Sequence, residues 1–325
     1  MSPSPDAFTM AGPPDKTSAG IHKFTHNSMG AVFEIRMAHD DGEYARHASA
    51  AAFAELDRLN EELSRFISHS DISQINTLRA WHTTRVGEAT MECIVAAARV
   101  WSDTGGAFDP TIGRLFALWR PADGSEPHPT DEQIAAARQS TGMDKIAASE
   151  RELLIGVRCD GLLMDLGGIG KGYAIDRMIE ILKEWSIENA LVHGGWSSLM
   201  AIGSAPGGDG WSIRIRDPEK GGEGFGSVRI KNFAISGSAS PARNRHIIDP
   251  RIGRPATANL GAWSAHPSAT ISDALSTAFF ITKPDDVNRY CTEHAEASAM
   301  LLVPDSSGRT LKRFGKWDSF YEPRA

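Results

Sequence analysis

The sequence predicts an α+β fold gathered into one large domain, on three observations. Segments with two-residue hydrophobic alternation and segments with a helical period are interspersed without the strand–helix–strand beat of a doubly wound parallel sheet. No Pro/Ser-rich linker divides the patterned region. The 325 residues, 41% of them hydrophobic, are enough to bury a large core.

The elements follow in chain order. Residues 1–22 begin MSPSPDAFTMAGPPDKTSAG, rich in Pro, Ser and Gly, and read as a disordered leader before a domain spanning 23–325. This stretch lacks the charged start and apolar core of a secretory signal, which points to a cytoplasmic protein. Ala31 to Met37 alternates as a strand. Residues 43–66 carry Phe53, Leu56, Leu59, Leu63 and Phe66 at helical spacing. A helix is expected over 88–103, and another from the N-cap Thr130 to Gln139. Leu153 to Arg158 and Leu162 to Leu166 read as strands joined at Cys159-Asp160-Gly161. The run MDLGGIGKGYAIDRMIEILKEW reads as strand, glycine turn and helix, with Ala174, Met178, Ile179 and Leu182 on one face. Strands follow at Leu191-Val192, Ser198 to Ile202, Trp211 to Arg216, and Val228 to Ile235. A helix from Asp273, another over Pro284 to His294, and a strand at Ala299 to Val303 complete the pattern.

Composition narrows the function. The chain has 34 Lys and Arg against 41 Asp and Glu, a net charge of −7, which weighs against a nucleic-acid partner. No window reaches the roughly 18 apolar residues needed to span a bilayer, so no membrane insertion is expected. Three distant cysteines, Cys93, Cys159 and Cys291, exclude a disulfide framework or a CxxC site and fit a reducing compartment.

Glycine is in excess, 31 residues against 17 Pro. It clusters at Gly105-Gly106-Ala107-Phe108-Asp109-Pro110, at Asp165 to Gly172, and at His193-Gly194-Gly195. The second cluster lies between a strand and a helix, where backbone N–H groups and the helix dipole receive phosphates. It is not a Walker A loop, because Gly172 follows Lys171 where Ser or Thr is required. Nor is it a Rossmann fingerprint, because Gly168, Gly170 and Gly172 are evenly spaced. An isolated glycine turn is as often a simple chain reversal; Lys171 tilts this one toward an anionic ligand. Asp273 and Thr277 lie four apart on an expected helix, so their oxygens share a face and form a hard-ligand pair suited to Mg²⁺ on a pyrophosphate. An N-cap Asp with an ordinary first-turn Thr is the commoner reading of such a pair taken alone. Arg245-His246-Ile247-Ile248-Asp249-Pro250 offers a His and an Asp beside a turn, although a lone His is more often packed than catalytic. No HExxH, paired zinc spacing or G-x-S-x-G elbow is present.

In order along the chain stand Met29-Gly30, Leu63-Ser64-Arg65-Phe66 and SDISQIN at 70–76. GGAFDPTIGRLFALW at 105–119, DLGGIGKGYAIDR at 165–177 and Ser236-Gly237 follow, then HIIDPRIGRP at 246–255 and SDALSTA at 272–278. This series resembles the ApbE family, Mg-dependent FAD:protein FMN transferases, from about Met29 to about Val303. The resemblance implies a T-fold-like α+β domain with FAD in a cleft. It implies a metal held by Asp273, Thr277 and the backbone carbonyl of Gly170, where the family usually has Ala. FAD contacts would fall on Met29, Phe108, Asp109, Gly167, Gly168, Lys171 and Asp176, with Ser236 and Gly237 in the same motif set. His246, or Asp249, would be the base. The implied reaction joins the FMN part of FAD to a Ser or Thr of a partner flavoprotein and releases AMP.

The sequence departs from that pattern on the acceptor side. The segment after Ser236-Gly237 is short, and Arg245 replaces the first His of the family's paired run. Ile252 stands for the usual Thr, His193 for an Asn and Phe66 for a Tyr, and the acidic residue usual after the paired Gly is absent from Trp196-Ser197-Ser198. The metal and glycine blocks are intact. A shortened 238–245 segment fits either a specialised acceptor or a protein that has lost transfer: an FAD-binding protein, or an FAD pyrophosphatase in which water replaces the acceptor.

Overall fold

The computed structural model describes residues 7–10, 20–120, 128–218, 224–239, 247–306 and 308–323. Its centre is an eight-stranded antiparallel sheet. The order across it is Gly308–Phe314, Ser298–Asp305, Gly261–His266, Phe233–Ala239, Ser198–Ile202, Ala190–Gly194, Ala31–Ala38 and Ile21–Ser28. Helices cover one face. A four-stranded sheet of Phe8–Met10, Trp211–Arg216, Gly224–Ile230 and Tyr321–Pro323 covers the other. The architecture is α+β in stacked layers.

Eight helices occur among the described residues: α1 (Gly42–Leu63), α2 (Asp71–Asn76), α3 (Glu88–Asp103), α4 (Gly113–Trp119), α5 (Asp131–Gln139), α6 (Gly170–Glu184), α7 (Ala269–Ile281) and α8 (Pro284–Glu293). Local chemistry sets their ends. Asp41 caps α1 by accepting from the Glu43 and Tyr44 amides, and Thr130 with Gln133 forms a capping box on α5. The buried stripe Ala45, Ala48, Ala52, Leu56, Leu59, Leu63 turns α1 toward the sheet, where Phe33, Ile35 and Met37 meet it. Helix α6 buries Ala174, Ile175, Met178, Ile179 and Leu182 in the same core.

Several expectations need correction. Within the stretch read as a disordered leader, Phe8–Met10 forms an edge strand on Trp211–Arg216, and Phe8 is completely buried among Trp211, Ile213 and Ile215. One buried aromatic anchors a segment whose composition otherwise reads as loop. Leu162 to Leu166 forms no strand. Only Leu163 makes a bridge, to Ile112, and Asn76 clamps Met164 by donating to its carbonyl and accepting from its amide. The expected strand 228–235 is two strands that turn at Lys231-Asn232, where Asn232 has φ 52°. The helix read from Asp273 begins at Ala269, capped by Ser268. No helix of the described residues is long and apolar enough to cross a membrane.

Candidate active site

Helices α6 and α7 cap each other. The Gly172 amide, one of the unpaired N–H groups of the first turn of α6, donates to Asp273 Oδ2 at 3.1 Å. In return the Asp176 carboxylate of α6 accepts from the Ala269 and Thr270 amides and from the Ser268 and Thr270 hydroxyls, at 2.6–2.9 Å. This closeness requires glycine at 172, since a Cβ there would collide with the Ala269 carbonyl oxygen and the Asp273 side chain. Asp176 therefore holds α7 in place, with its oxygens engaged by four donors.

Asp273 is 5% exposed and anchored on both oxygens. Its Oδ1 accepts from the Ser198 hydroxyl at 2.6 Å, and Lys171 Nζ lies 4.0 Å from Oδ2. Lys171 Nζ also donates to the Gly167 carbonyl at 3.2 Å, which folds the ammonium over the loop. One turn beyond Asp273, Thr277 meets the loop backbone. A Cβ at Gly168 would stand 3.5 Å from Thr277 Oγ1 and 3.2 Å from the Phe108 ring. Gly170 is placed differently. It is the first residue of α6, and the glycine whose Cβ position stands against Thr277 is Gly168.

The loop itself is held from behind. Asp165 accepts from the Gly167 amide at 2.8 Å and pairs with Arg65 at 2.8 Å, while Arg65 lies over the exposed Phe66 ring. Asp109 is buried, accepting from the Thr111 amide and hydroxyl. Burial pushes its carboxyl up to about 6 against those hydrogen bonds, which favour the charged form. Met29 and Gly30, at φ 49° and 70°, turn the hairpin between the first two strands of the central sheet. The Gly195 amide fastens the turn that leads to Ser198 onto Val32 at 2.9 Å. On the strand just before that turn the buried His193 stacks on Trp196 at 3.7 Å and lies 3.7 Å from Glu34. Burial pulls the His193 imidazole below its ordinary range. It raises the Glu34 carboxyl, but His193, Arg36 and Lys23 outweigh that and hold it at about 2.

Other expected site residues sit elsewhere. Ser236 is fully buried beneath α7 with an unpartnered hydroxyl, paired in register with Ser198 and Ser264, so it belongs to an interior layer and not to a cleft. Gly237 faces the other side of the sheet, where a Cβ would strike Ala7 and the Trp263 ring. The Asp249 carboxylate is taken up by Arg251, which donates from Nε at 2.9 Å and from Nη2 at 2.8 Å, so it is not a free base. His246 lies outside the described residues.

Sequence reasoning missed Ser198, Gly172 and Ser238. Ser238 lies 3.4 Å from Thr277 Oγ1 and 2.9 Å from Ser276 Oγ. Only Gly172 had a local signal, its place in the glycine run. Among the described residues no three His, Cys, Asp or Glu side chains gather as a metal cluster. The oxygens at hand are one buried carboxylate and hydroxyls, which suit a hard cation that keeps waters and shares a phosphate.

Residues 29–302 match the ApbE family. The FAD:protein FMN transferase of Salmonella typhimurium is 28% identical over 297 residues, covering 87% of this chain and 85% of its own. That of Escherichia coli K12 is 26% identical, covering 87% and 84%. Among solved structures, the flavinyl transferase ApbE of Pseudomonas stutzeri in its apo form superposes with a TM-score of 0.83 at 25% identity, covering 94% and 98%. The ApbE protein of Thermotoga maritima gives 0.82 at 26% identity, covering 93% and 99%.

Proposed function

The chain belongs to the ApbE family and is a transferase, and we propose that it moves the FMN half of FAD onto a Ser or Thr hydroxyl of a partner flavoprotein, with Mg²⁺ as cofactor and AMP released. The observation that carries this reading is the meeting of Asp273, Thr277, Gly168 and Lys171 at the start of α6. A carboxylate, a hydroxyl, a backbone without side chain and an ammonium there form a cradle for a pyrophosphate and a hard cation.

In this reaction the acceptor oxygen attacks the phosphorus of the FMN half, the bridging P–O bond to AMP breaks, and the hydroxyl proton passes to a base. Asp273 and Thr277, with a backbone carbonyl of the 167–170 loop, would hold Mg²⁺, which offsets the pyrophosphate charge and orients the leaving phosphate. Lys171 binds a pyrophosphate oxygen from the loop side. Gly168 lets the ligand approach the backbone between Phe108 and Thr277. Phe66, exposed beside Arg65, offers a stacking surface for an aromatic ring. With Asp249 held by Arg251, the base is His246, a contribution of about 10²–10⁴ in rate. The three unpaired cysteines support a reducing, cytoplasmic setting.

The test is purified protein with FAD, MgCl₂ and a co-expressed acceptor flavoprotein. Flavin fluorescence is expected to stay on the denatured acceptor, with one AMP released per flavin attached. FMN and AMP formed without acceptor would assign the pyrophosphatase activity instead. Neither product would refute both.

A further inference from the structure

Helix α7 does not rest on the central sheet through apolar side chains alone. Ser198, Ser236 and Ser264 stand side by side on adjacent strands, directly under it. Ser264 donates to the Ser272 carbonyl and contacts its hydroxyl at 3.0 Å, which ties α7 to the sheet through its backbone. Ser198 is different. Its fully buried hydroxyl reaches Asp273 Oδ1 at 2.6 Å, and it comes immediately after the glycine-initiated turn Gly194–Ser197.

We propose that Ser198 is a positioning residue for the cation site: its hydroxyl fixes the rotation of the Asp273 carboxylate while the Gly172 amide holds the other oxygen. The inference rests on the Mg²⁺–FAD reading above. A carboxylate pinned by two donors of fixed direction keeps its remaining lone pairs aimed one way. Without Ser198 it is held by the Gly172 amide and the more distant Lys171 alone and can swing about the Cβ–Cγ bond. Outer-shell hydrogen bonds of this kind are worth about 10–100-fold in metal affinity. Their pairing is not legible from the chain order, because 75 positions separate the two residues.

The experiment measures FAD binding by flavin fluorescence across a MgCl₂ titration, without acceptor, in the full-length protein. Ser198→Ala is expected to raise the Mg²⁺ midpoint about 10-fold or more. Ser198→Thr, which keeps the hydroxyl, should restore most of the midpoint. Ser264→Ala removes a serine of the same layer that does not touch Asp273, and should leave the midpoint in place even if it lowers the melting temperature. An unshifted midpoint in Ser198→Ala, or an equal shift in Ser264→Ala, overturns the assignment. FAD binding by the parent protein that ignores Mg²⁺ altogether would instead remove the reading beneath it, and the assignment with it.

Discussion

On the face of the central sheet turned toward the four-stranded sheet, Leu191, Leu199, Ile235, Trp263, Met300 and Leu302 pack against Trp211, Ile213, Ile215, Val228 and Phe8. On the opposite face, under α7, the same strands present Ser198, Ser236 and Ser264 to Ser272 and Asp273. Both faces are buried and both carry apolar packing, but under α7 the second adds directed hydrogen bonds. Apolar packing tolerates small rotations because dispersion has little directionality, whereas a hydroxyl–carboxylate contact fixes an angle. The candidate chemistry sits on the face where angles are fixed.

Three changes probe this contrast. Asp273→Ala on the polar face is expected to abolish turnover, by at least the 10²–10⁴-fold or so that loss of a general base would cause, and to remove Mg²⁺-dependent FAD binding. It also strands the Gly172 amide and Ser198 hydroxyl, a further destabilisation of about 1–3 kcal/mol in denaturant melts. Unchanged turnover would move the metal assignment elsewhere. Trp263→Ala on the apolar face should cost about 3–5 kcal/mol of stability while the folded fraction binds FAD normally; a selective loss of FAD affinity would erase the distinction between the faces. The smallest effect concerns Asp109, whose carboxyl is raised by burial from its ordinary value to about 6. Between about pH 4 and 6 the folded state binds the extra proton, so this group makes stability fall as pH rises through that window. Asp109→Asn should flatten that slope in thermal melts at successive pH values, and an unaltered slope would assign it to other groups.

Legibility differed between elements for physical reasons. Helices α3, α5, α6 and α8 were readable to within about a turn, because Thr130, Pro284 and the periodic apolar stripe of α6 are local signals. The strand Phe8–Met10 was hidden because its support is the distant Trp211–Arg216. At the site, the glycine loop and Asp273 stood out by residue type. The partner of each did not: Ser198 comes from a strand 75 positions away, and Asp176 faces Thr270 across 94 positions. The SDISQIN segment shows the same limit. Its Ser70 caps α2, its Asp71 accepts from Gly87 and Thr90 at the start of α3, and its Asn76 clamps Met164, so its residues brace the loop from outside.

The reciprocal capping of α6 and α7 carries a mechanical consequence. Each helix ends in amides that the other's carboxylate satisfies, so separating them would expose charge and unpaired donors at both ends together. The pair therefore behaves as a single anvil. Any closure around a bound dinucleotide has to come from the surrounding turns, and a substitution that loosens either cap would be felt as slack at Asp273 and Thr277, several residues from where it was made.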